Sequence, residues 1–170
     1  MRFVVHEHHS KKLYYDFRLE MAGILKSWAV PKGPSLDPGD KRLAVMVDDH
    51  SLEYFDFEGI IPPRQYGAGA VVIWDSGTYG LLEGNDPVKS VEAGKIVFEL
   101  AGNVLKGGFR LFQMRRRDQS NWLLTKNRDA HSREGWSPLQ LLTEEKKRTL
   151  PERVPPEKAH RCTQLGLPIR

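Results

Sequence analysis

Apolar and polar residues alternate with a period of two through much of the first 126 residues. Between Leu13 and Met21 the odd positions hold Leu, Tyr, Phe, Leu and Met, whereas the even positions hold Tyr, Asp, Arg and Glu. Because successive side chains of a β-strand point to opposite faces, this strand should have one core face and one chemical face. No long segment keeps the 3.6-residue spacing of an amphipathic helix. The pattern therefore predicts a mostly β protein.

Seven segments are predicted to be strands because they combine alternation with β-branched and aromatic residues. They are residues 13–21, 26–30, 42–49, 70–74, 96–100, 109–114 and 122–126. Turn sequences rich in Gly, Pro, Asp and Asn separate these segments. Short strands at this spacing favour a small barrel or a curled sandwich. Short helices are predicted at residues 86–94 and 137–145.

The length of 170 residues predicts one domain followed by a tail. We place the domain at residues 1–145 and the tail at residues 146–170, which are basic, contain Pro and are expected to be flexible. From Thr143 onward seven Lys and Arg stand against four Glu, which gives +3 of the formal net charge of +4. The body is almost neutral, so any binding of nucleic acid depends on local basic groups such as the run at residues 115–117.

Several features predict a cytoplasmic protein that does not enter a membrane. The longest apolar run, residues 69–74, is far shorter than a bilayer span. The N-terminal residues lack the apolar stretch of a secretory signal, and the lone Cys162 builds no disulfide framework. Walker loops, GxSxG elbows and CxxC pairs are also absent from the sequence, which argues against P-loop hydrolysis, serine hydrolysis and a zinc finger.

Histidines and an acidic strand form the first candidate cluster. His6, His8 and His9 lie within four residues, and Asp16 and Arg18 follow on the polar face of the next predicted strand. Imidazole and carboxylate groups on adjacent strands suit a divalent transition metal. The alternative is that the histidines are exposed strand residues and that Asp16 pairs with Arg18.

A second cluster follows in the segment 42–54, with Lys32 in the Pro-rich loop before it. Alternation places Leu43, Val45 and Val47 on one face, and Arg42, Ala44, Met46, Asp48 and His50 on the other. Arg and Lys bind phosphate, and a protonated His donates to a leaving oxygen; Tyr54 lies nearby. The alternative is a set of solvated charges with a hydrogen-bonded His.

Several segments together resemble the 3′-phosphoesterase domain of the DNA ligase D family, which also occurs as a stand-alone protein. The resemblance runs in consistent order through residues 15–20, 25–35, 41–45, 49–50, 56–59, 66–69, 74–77 and 122–126. It covers roughly three quarters of the chain. The glycine-containing sequence 59–69 is part of it, although such a loop alone is a weak signal.

The resemblance implies a small antiparallel β-barrel with a polar concave active site and one or two short helices. It also implies an Mn²⁺-dependent enzyme, with Zn²⁺ or Co²⁺ as other candidate metals. Such an enzyme removes 3′-terminal ribonucleotides or 3′-phosphates from DNA primer ends to leave a 3′-hydroxyl. The implied partners are a primer-template or other nucleic-acid 3′ end and a separate DNA ligase, polymerase or end-binding protein.

The resemblance also assigns site residues. Its metal ligands fall on His8 and Asp16, and its phosphate-binding groups on Arg18 and His50. The other matching functional positions are Lys32, Arg42 and Tyr54, with Asp48 where an acidic residue, often Glu, is usual.

One position departs from the family pattern. Tyr14 stands where the family has a second histidine ligand, and a phenol with a pKa near 10 is a poor ligand at neutral pH unless a metal lowers that pKa. His6 is the nearest substitute, since it shares the parity of His8, whereas His9 should point the other way. Two hypotheses follow: a metal-dependent enzyme, and a non-catalytic module that binds DNA ends or phosphate and has lost its metal. An RNA-directed nuclease is a third.

Overall fold

The computed structural model describes residues 1–115 and 118–156 of the chain. Its strands, in chain order, are β1 (Arg2–His9), β2 (Leu13–Met21), β3 (Ile24–Val30), β4 (Arg42–Met46), β5 (His50–Ser51), β6 (Gly59–Ile61), β7 (Gly69–Leu81), β8 (Lys95–Gly102), β9 (Lys106–Gln113) and β10 (Asn121–Lys126). The helices are α1 (Pro87–Glu92) and α2 (Glu144–Thr149), and a 3₁₀ turn covers Leu52–Tyr54. The predictions of a mostly β protein and of all seven strands are confirmed.

The sheet closes into an eight-stranded antiparallel barrel in the order β1-β2-β3-β4-β10-β9-β8-β7, because β1 also pairs with β7. Two short strands lie outside this ring: β5 pairs with β3, and β6 pairs with β7. The chain between β4 and β7 therefore crosses over one side of the barrel. Closure leaves few unpaired strand edges, which explains how short strands form a stable domain.

Alternation along β2 has the predicted consequence. The odd positions face the barrel interior and join its main apolar core, as Tyr15, Phe17, Leu19 and Met21. Asp16 and Arg18 lie on the opposite face of the same strand. Burial of each large core side chain contributes about 1.5–3 kcal/mol, so the odd positions fix the register and the even positions are carried with them.

The faces of β4 differ from the simple interpretation of its sequence. Ala44 and Met46 join the main core, whereas Leu43 is 40% exposed. Arg42 shares the parity of these two core residues, at the end of the strand. Apolar residues occur at both the odd and the even positions of this strand, so alternation alone did not determine which set faces the barrel interior.

The helix predicted at residues 86–94 is confirmed: Asp86 caps α1 by accepting from the Val88 amide at 2.9 Å. The helix predicted at residues 137–145 is wrong, because α2 begins only at Glu144, after Thr143 as N-cap. The barrel binds the backbone of the preceding segment. Trp74 Nε1 donates to the Leu139 carbonyl at 2.9 Å, and Glu7 accepts from the amides of Leu141 and Leu142.

The expected domain boundary after residue 145 falls inside α2, and the chain beyond it still contacts the barrel. The Ile60 amide donates to the Pro151 carbonyl at 2.8 Å, and the Arg153 amide donates to the Ile60 carbonyl at 3.0 Å. Residues 157–170 of the predicted tail, with Cys162, and residues 116–117 of the basic run lie outside the described residues. Within the described ranges, no helix is long and apolar enough to cross a membrane.

Candidate active site

The outer faces of β1 and β2 form a polar floor. The antiparallel register places His6 opposite Asp16 and His8 opposite Tyr14. A second apolar cluster, which includes Leu25, Tyr54, Phe57, Ile61 and Val71, packs on this side of the barrel. His6 and Arg18 are consequently 0% and 2% exposed, although their face points away from the main core. The site lies between the barrel wall and the segment that crosses it.

Arg18 is the centre of the polar network. Its Nη1 donates to Ser27 Oγ at 2.9 Å and its Nη2 to Asp16 Oδ2 at 3.3 Å. The guanidinium carbon lies 4.7 Å from the centroid of the Tyr54 ring, which adds a cation–π contact. Three neighbours therefore fix the orientation of the planar guanidinium.

Asp16 is ionised within this network. Burial opposes ionisation, but the hydrogen bond with His8 and the charge of Arg18 outweigh it and lower the pKa of Asp16 to about 2. Asp16 Oδ2 lies 3.2 Å from His8 Nδ1. A carboxylate kept ionised by two cationic or polar neighbours is an accepting group ready to hold a cation.

The orientation of His8 is set by Gly67. His8 Nε2 donates to the Gly67 carbonyl at 2.6 Å, so Nε2 carries a proton, because a carbonyl only accepts. Nδ1 faces Asp16 and donates to it when the ring is protonated. Burial lowers the pKa of His8, but the Asp16 hydrogen bond and charge outweigh burial and raise it. Gly67 has φ +76°, and a Cβ there would lie 3.3 Å from His8 Cε1, so glycine is required at this contact.

His6 serves Arg18. Arg18 Nε donates to His6 Nδ1 at 3.3 Å, which requires that His6 Nδ1 carry no proton. Burial lowers the pKa of His6 well below its ordinary value, and the Arg18 charge lowers it further, so the ring is neutral. Its Nε2 is buried without a hydrogen-bond partner among the described residues. A ring committed to Arg18 through Nδ1 offers only Nε2 to any other group.

His50 enters the site from β5, where it pairs with Leu25 of β3. Its Nδ1 donates to the Asp48 carbonyl at 2.8 Å, so Nε2 is the nitrogen that exchanges a proton. The ring centroid lies 5.2 Å from that of Tyr54, which in turn lies 5.1 Å from that of His6. Burial raises the pKa of Tyr54, so its phenol stays protonated. Tyr54 links His50 to the network of Arg18.

An ion pair that the sequence did not reveal supports this segment. Lys26 Nζ lies 2.9 Å from Asp49 Oδ1, and both side chains are almost fully buried. Lys26 shares the parity of Trp28 and Val30, which lie in the main core. A lysine at a position with core parity was the sequence signal that could have predicted a buried acidic partner. Because Asp49 directly precedes His50, the pair anchors the strand that delivers the imidazole.

The remaining predicted residues are less closely joined to this network. Arg42 Nη2 pairs with Asp40 Oδ2 at 3.3 Å, and Lys32 is exposed in the turn after β3. Tyr14 is half-buried directly opposite His8, and Asp48 contributes its carbonyl to His50. The structure thus brings together His8, Asp16, Arg18, His50 and Tyr54, and it gives Arg42 and Lys32 other surroundings.

Two protein groups, the imidazole of His8 and the carboxylate of Asp16, are suited to hold a divalent metal. His8 Nδ1 and Asp16 Oδ2 face each other, and the opposite ring nitrogen of His8 is held by a carbonyl, as is usual for a metal-binding His. Imidazole with carboxylate suits Mn²⁺, Zn²⁺ or Co²⁺. Residues 1–115 and 118–156 contain no group of three or more His, Cys, Asp and Glu placed to hold an ion. A third protein donor would have to come from another residue type, and Tyr14 has the nearest register position.

Comparison with known proteins identifies the family of this chain. The profile of the DNA Ligase D 3′-phosphoesterase domain matches residues 6–113. The chain is similar to the multifunctional non-homologous end joining protein LigD of Pseudomonas aeruginosa, with 50% identity over 134 residues that cover 78% of this chain and 16% of that protein. It is also similar to the LigD proteins of Mycobacterium tuberculosis and Mycolicibacterium smegmatis, with 43% identity over 121 residues and 40% over 132.

The matched regions cover 71% and 75% of this chain and 15% and 17% of those two proteins. The chain therefore spans about a sixth of the length of the curated relatives it matches. The profile match includes β1, β2 and β5, the strands that carry the polar network. This chain belongs to the DNA ligase D 3′-phosphoesterase domain family.

Proposed function

We propose that this protein is a metal-dependent phosphoesterase that removes 3′-terminal ribonucleotides and 3′-phosphates from DNA or RNA primer ends and leaves a 3′-hydroxyl. The observation that carries the proposal is the convergence of Arg18, Asp16 and His8 with His50 on one outer face of the barrel. A fixed cation, a pair of metal-type donors and a proton-exchanging imidazole are the groups that phosphate ester hydrolysis needs.

In this proposal Arg18 binds the phosphate at the 3′ end. The guanidinium has five N–H groups in a fixed fork, so it can hold its protein neighbours and also a phosphate oxygen. His50 donates a proton from Nε2 to the oxygen that leaves phosphorus, while its Nδ1 stays bonded to the Asp48 carbonyl. For a 3′-phosphate, water adds to phosphorus, the bond from phosphorus to O3′ breaks, and O3′ leaves with a proton as the hydroxyl.

His8 and Asp16 would hold the metal, with Mn²⁺ as the first candidate and Zn²⁺ or Co²⁺ as others. When bound, such an ion supplies Lewis-acid polarisation of a phosphate oxygen. Gly67 keeps the His8 ring turned so that Nδ1 faces Asp16. Arg42, Lys32 and Asp48 remain candidates for contacts to the nucleic acid.

The printed names of the relatives refer to non-homologous end joining. We infer that this chain works in the same kind of repair, on the end of a DNA primer-template. Because it spans about a sixth of those proteins, a ligase or polymerase activity would come from a region outside this sequence or from a separate protein. Its cytoplasmic location stays a prediction.

A second candidate is a non-catalytic module that binds a DNA end or phosphate. Tyr14 at a family ligand position favours it, because the described residues supply only two metal-type donors at His8 and Asp16. The phosphate contact that we propose for Arg18 does not depend on that residue. The two candidates therefore differ in metal binding and turnover and agree in end binding.

The decisive experiment uses a duplex primer-template that carries either a 3′-phosphate or a 3′-ribonucleotide. With Mn²⁺, we expect a dephosphorylated or shortened primer, and EDTA should stop its formation. Zn²⁺ and Co²⁺ are tested in parallel. End binding without any product at high enzyme excess, under every metal, would overturn the catalytic proposal in favour of the binding module.

A further inference from the structure

Tyr66 differs from every other aromatic residue of the chain. Its side chain is 80% exposed, whereas the other Phe, Tyr and Trp residues, all within the described ranges, are buried or half-buried. An exposed aromatic ring costs solvation free energy that a folded domain normally avoids. Its exposure at the edge of the candidate active site points to a ligand with a flat apolar surface.

The ring is held on a rigid turn. The Gln65 amide donates to the Pro62 carbonyl at 3.0 Å, and the Ala68 amide donates to the Gln65 carbonyl at 3.2 Å. In the second turn Gly67 has φ +76°, the value that the third position of a type II turn requires. Tyr66 is therefore the second residue of a defined turn and has little backbone freedom to lose when it binds a partner.

The same turn reaches the candidate active site. Gly67, the next residue after Tyr66, accepts a hydrogen bond from His8 Nε2 at 2.6 Å. Consecutive Cα atoms are about 3.8 Å apart, so the aromatic residue stands at the rim of the site that holds the 3′ phosphate in our proposal. A nucleotide whose phosphate lies in the site would therefore place its base near Tyr66.

Basic residues surround the turn. Arg64 is exposed within it, and the pairing of His9 with Ala70 brings the exposed Lys11 and Lys12 of the β1–β2 hairpin to the same end of the barrel. This charge complements a phosphate backbone. Aromatic rings interleaved with Lys and Arg are typical of surfaces that bind single-stranded or terminal nucleotides.

We propose that Tyr66 stacks on the base of the 3′-terminal nucleotide and thereby positions the blocked end. This inference rests on the proposed function, because it assigns the substrate's base to a subsite next to the phosphate site. Every base offers a π face, so this contact accepts all four bases. The turn at residues 65–68 thus contributes binding and alignment, and the chemistry stays with the polar floor.

The test uses a primer-template with a 3′-phosphate and 2-aminopurine as its 3′-terminal base, whose fluorescence is quenched by stacking. The wild-type protein, Tyr66→Phe and Tyr66→Trp should quench it, and Tyr66→Ala should not. Tyr66→Ala should weaken binding about 5- to 150-fold, the range for loss of one stacked base. Binding is measured without added metal and again with Mn²⁺, so that it does not depend on turnover.

A matched control and an abasic substrate complete the design. Leu82→Ala removes another exposed side chain, in the turn after β7, and should leave quenching and affinity unchanged. With an abasic 3′ end, wild type should fall to the affinity of Tyr66→Ala, and Tyr66→Ala should lose nothing further. Thermal melting of every variant is measured as well, so that binding is compared between folded proteins.

Three outcomes would overturn the inference: equal binding by wild type and Tyr66→Ala, additive losses from Tyr66→Ala and the abasic end, or Tyr66→Phe behaving as Tyr66→Ala. The first would leave Tyr66 to a protein partner, and the last would assign its role to the hydroxyl. Quenching by a wild-type protein that gives no product with any metal would overturn catalysis while supporting the base contact. A wild-type protein that does not bind the end at all would overturn both.

Discussion

Two buried carboxylates, Asp75 and Asp16, lie on neighbouring parts of the same barrel and have different surroundings. Asp75 accepts only backbone amides, from Ser76 at 2.9 Å, Asn103 at 2.8 Å, Val104 at 3.2 Å and Leu105 at 2.7 Å. It thereby fixes the turn between β8 and β9. Asp16 accepts from two side chains, those of His8 and Arg18.

The difference separates a carboxylate that supports the fold from one that we propose binds a ligand. Backbone amides cannot titrate or exchange partners, so Asp75 is fully committed to the fold. The partners of Asp16 are an imidazole and a guanidinium, and the same network contains a buried His6 nitrogen without a hydrogen-bond partner among the described residues. A network with titratable members and an unmet donor can accept a ligand, whereas the Asp75 network cannot.

The largest effect should come from Asp75→Ala. Four amides, three in the turn between β8 and β9 and that of Ser76 in β7, would lose their acceptor, so we expect the free energy of unfolding to fall by about 3–5 kcal/mol. Chemical denaturation followed by tryptophan fluorescence measures this loss. Turnover per folded molecule should stay near wild type, and a more than tenfold drop would show that Asp75 also belongs to the site.

His50→Ala should have the next largest effect, on turnover. Removal of a group that acts on the transition state lowers kcat by about 10²–10³. Stability should change much less than turnover, because the side chain is only half-buried. The control is His131→Ala, an exposed histidine on another part of the barrel. Equal kcat for the two variants would assign His50 a structural role only.

Sequence alone predicted the fold class and the chemical face of β2, because alternation there is unambiguous. It did not determine the inner face of β4, where Leu43 has the opposite parity to the core residues Ala44 and Met46. It also failed at residues 137–143, because Glu7 of β1 binds the amides that a helix would need. Contacts between residues more than 130 positions apart leave no local pattern.

The candidate site was predicted in the same uneven way. Asp16 and Arg18 followed from alternation on one strand, whereas the roles of His6 and Lys26 depend on partners from other strands. Clustering and alternation made His8 and His50 candidates, and the resemblance to a family gave them their predicted roles as metal ligand and phosphate-binding group. The strand register, which cannot be read from the sequence, places His6 where it accepts a hydrogen bond from Arg18.

Tyr14→His should have a moderate effect, on metal affinity. A neutral imidazole is available as a ligand above the ordinary histidine pKa of about 6.5, and an imidazole is a better ligand than a phenol at neutral pH, so the variant should bind Mn²⁺ about tenfold or more tightly. Calorimetric titration measures the dissociation constant. His6→Ala should change it much less, because His6 Nδ1 is occupied by Arg18. If His6→Ala costs affinity and Tyr14→His changes nothing, then His6 is the third ligand.

The smallest effect is expected at the surface, where Asp129 combines amide donors, as at Asp75, with an ion pair to Lys126 and is less buried. Burial opposes ionisation of Asp129, but hydrogen bonds from Lys126 and from the amides of Gly108 and His131 outweigh it and lower its pKa to about 2. A carboxyl whose folded pKa lies below its unfolded value, about 3.9, stabilises the fold above pH 4 and loses that contribution as the pH falls toward 2. Because the carboxylate is partly exposed to solvent, we expect Asp129→Asn to cost less than about 1 kcal/mol at pH 7 and progressively less from pH 4 to pH 2. Urea unfolding of both proteins across this range measures the difference, and comparing the variants cancels the titration of Asp16 that both share. A difference in unfolding free energy that stays constant with pH would show that Asp129 acts through its shape rather than its charge. The contrast between carboxylates bound by backbone amides and carboxylates bound by side chains would then depend on burial alone.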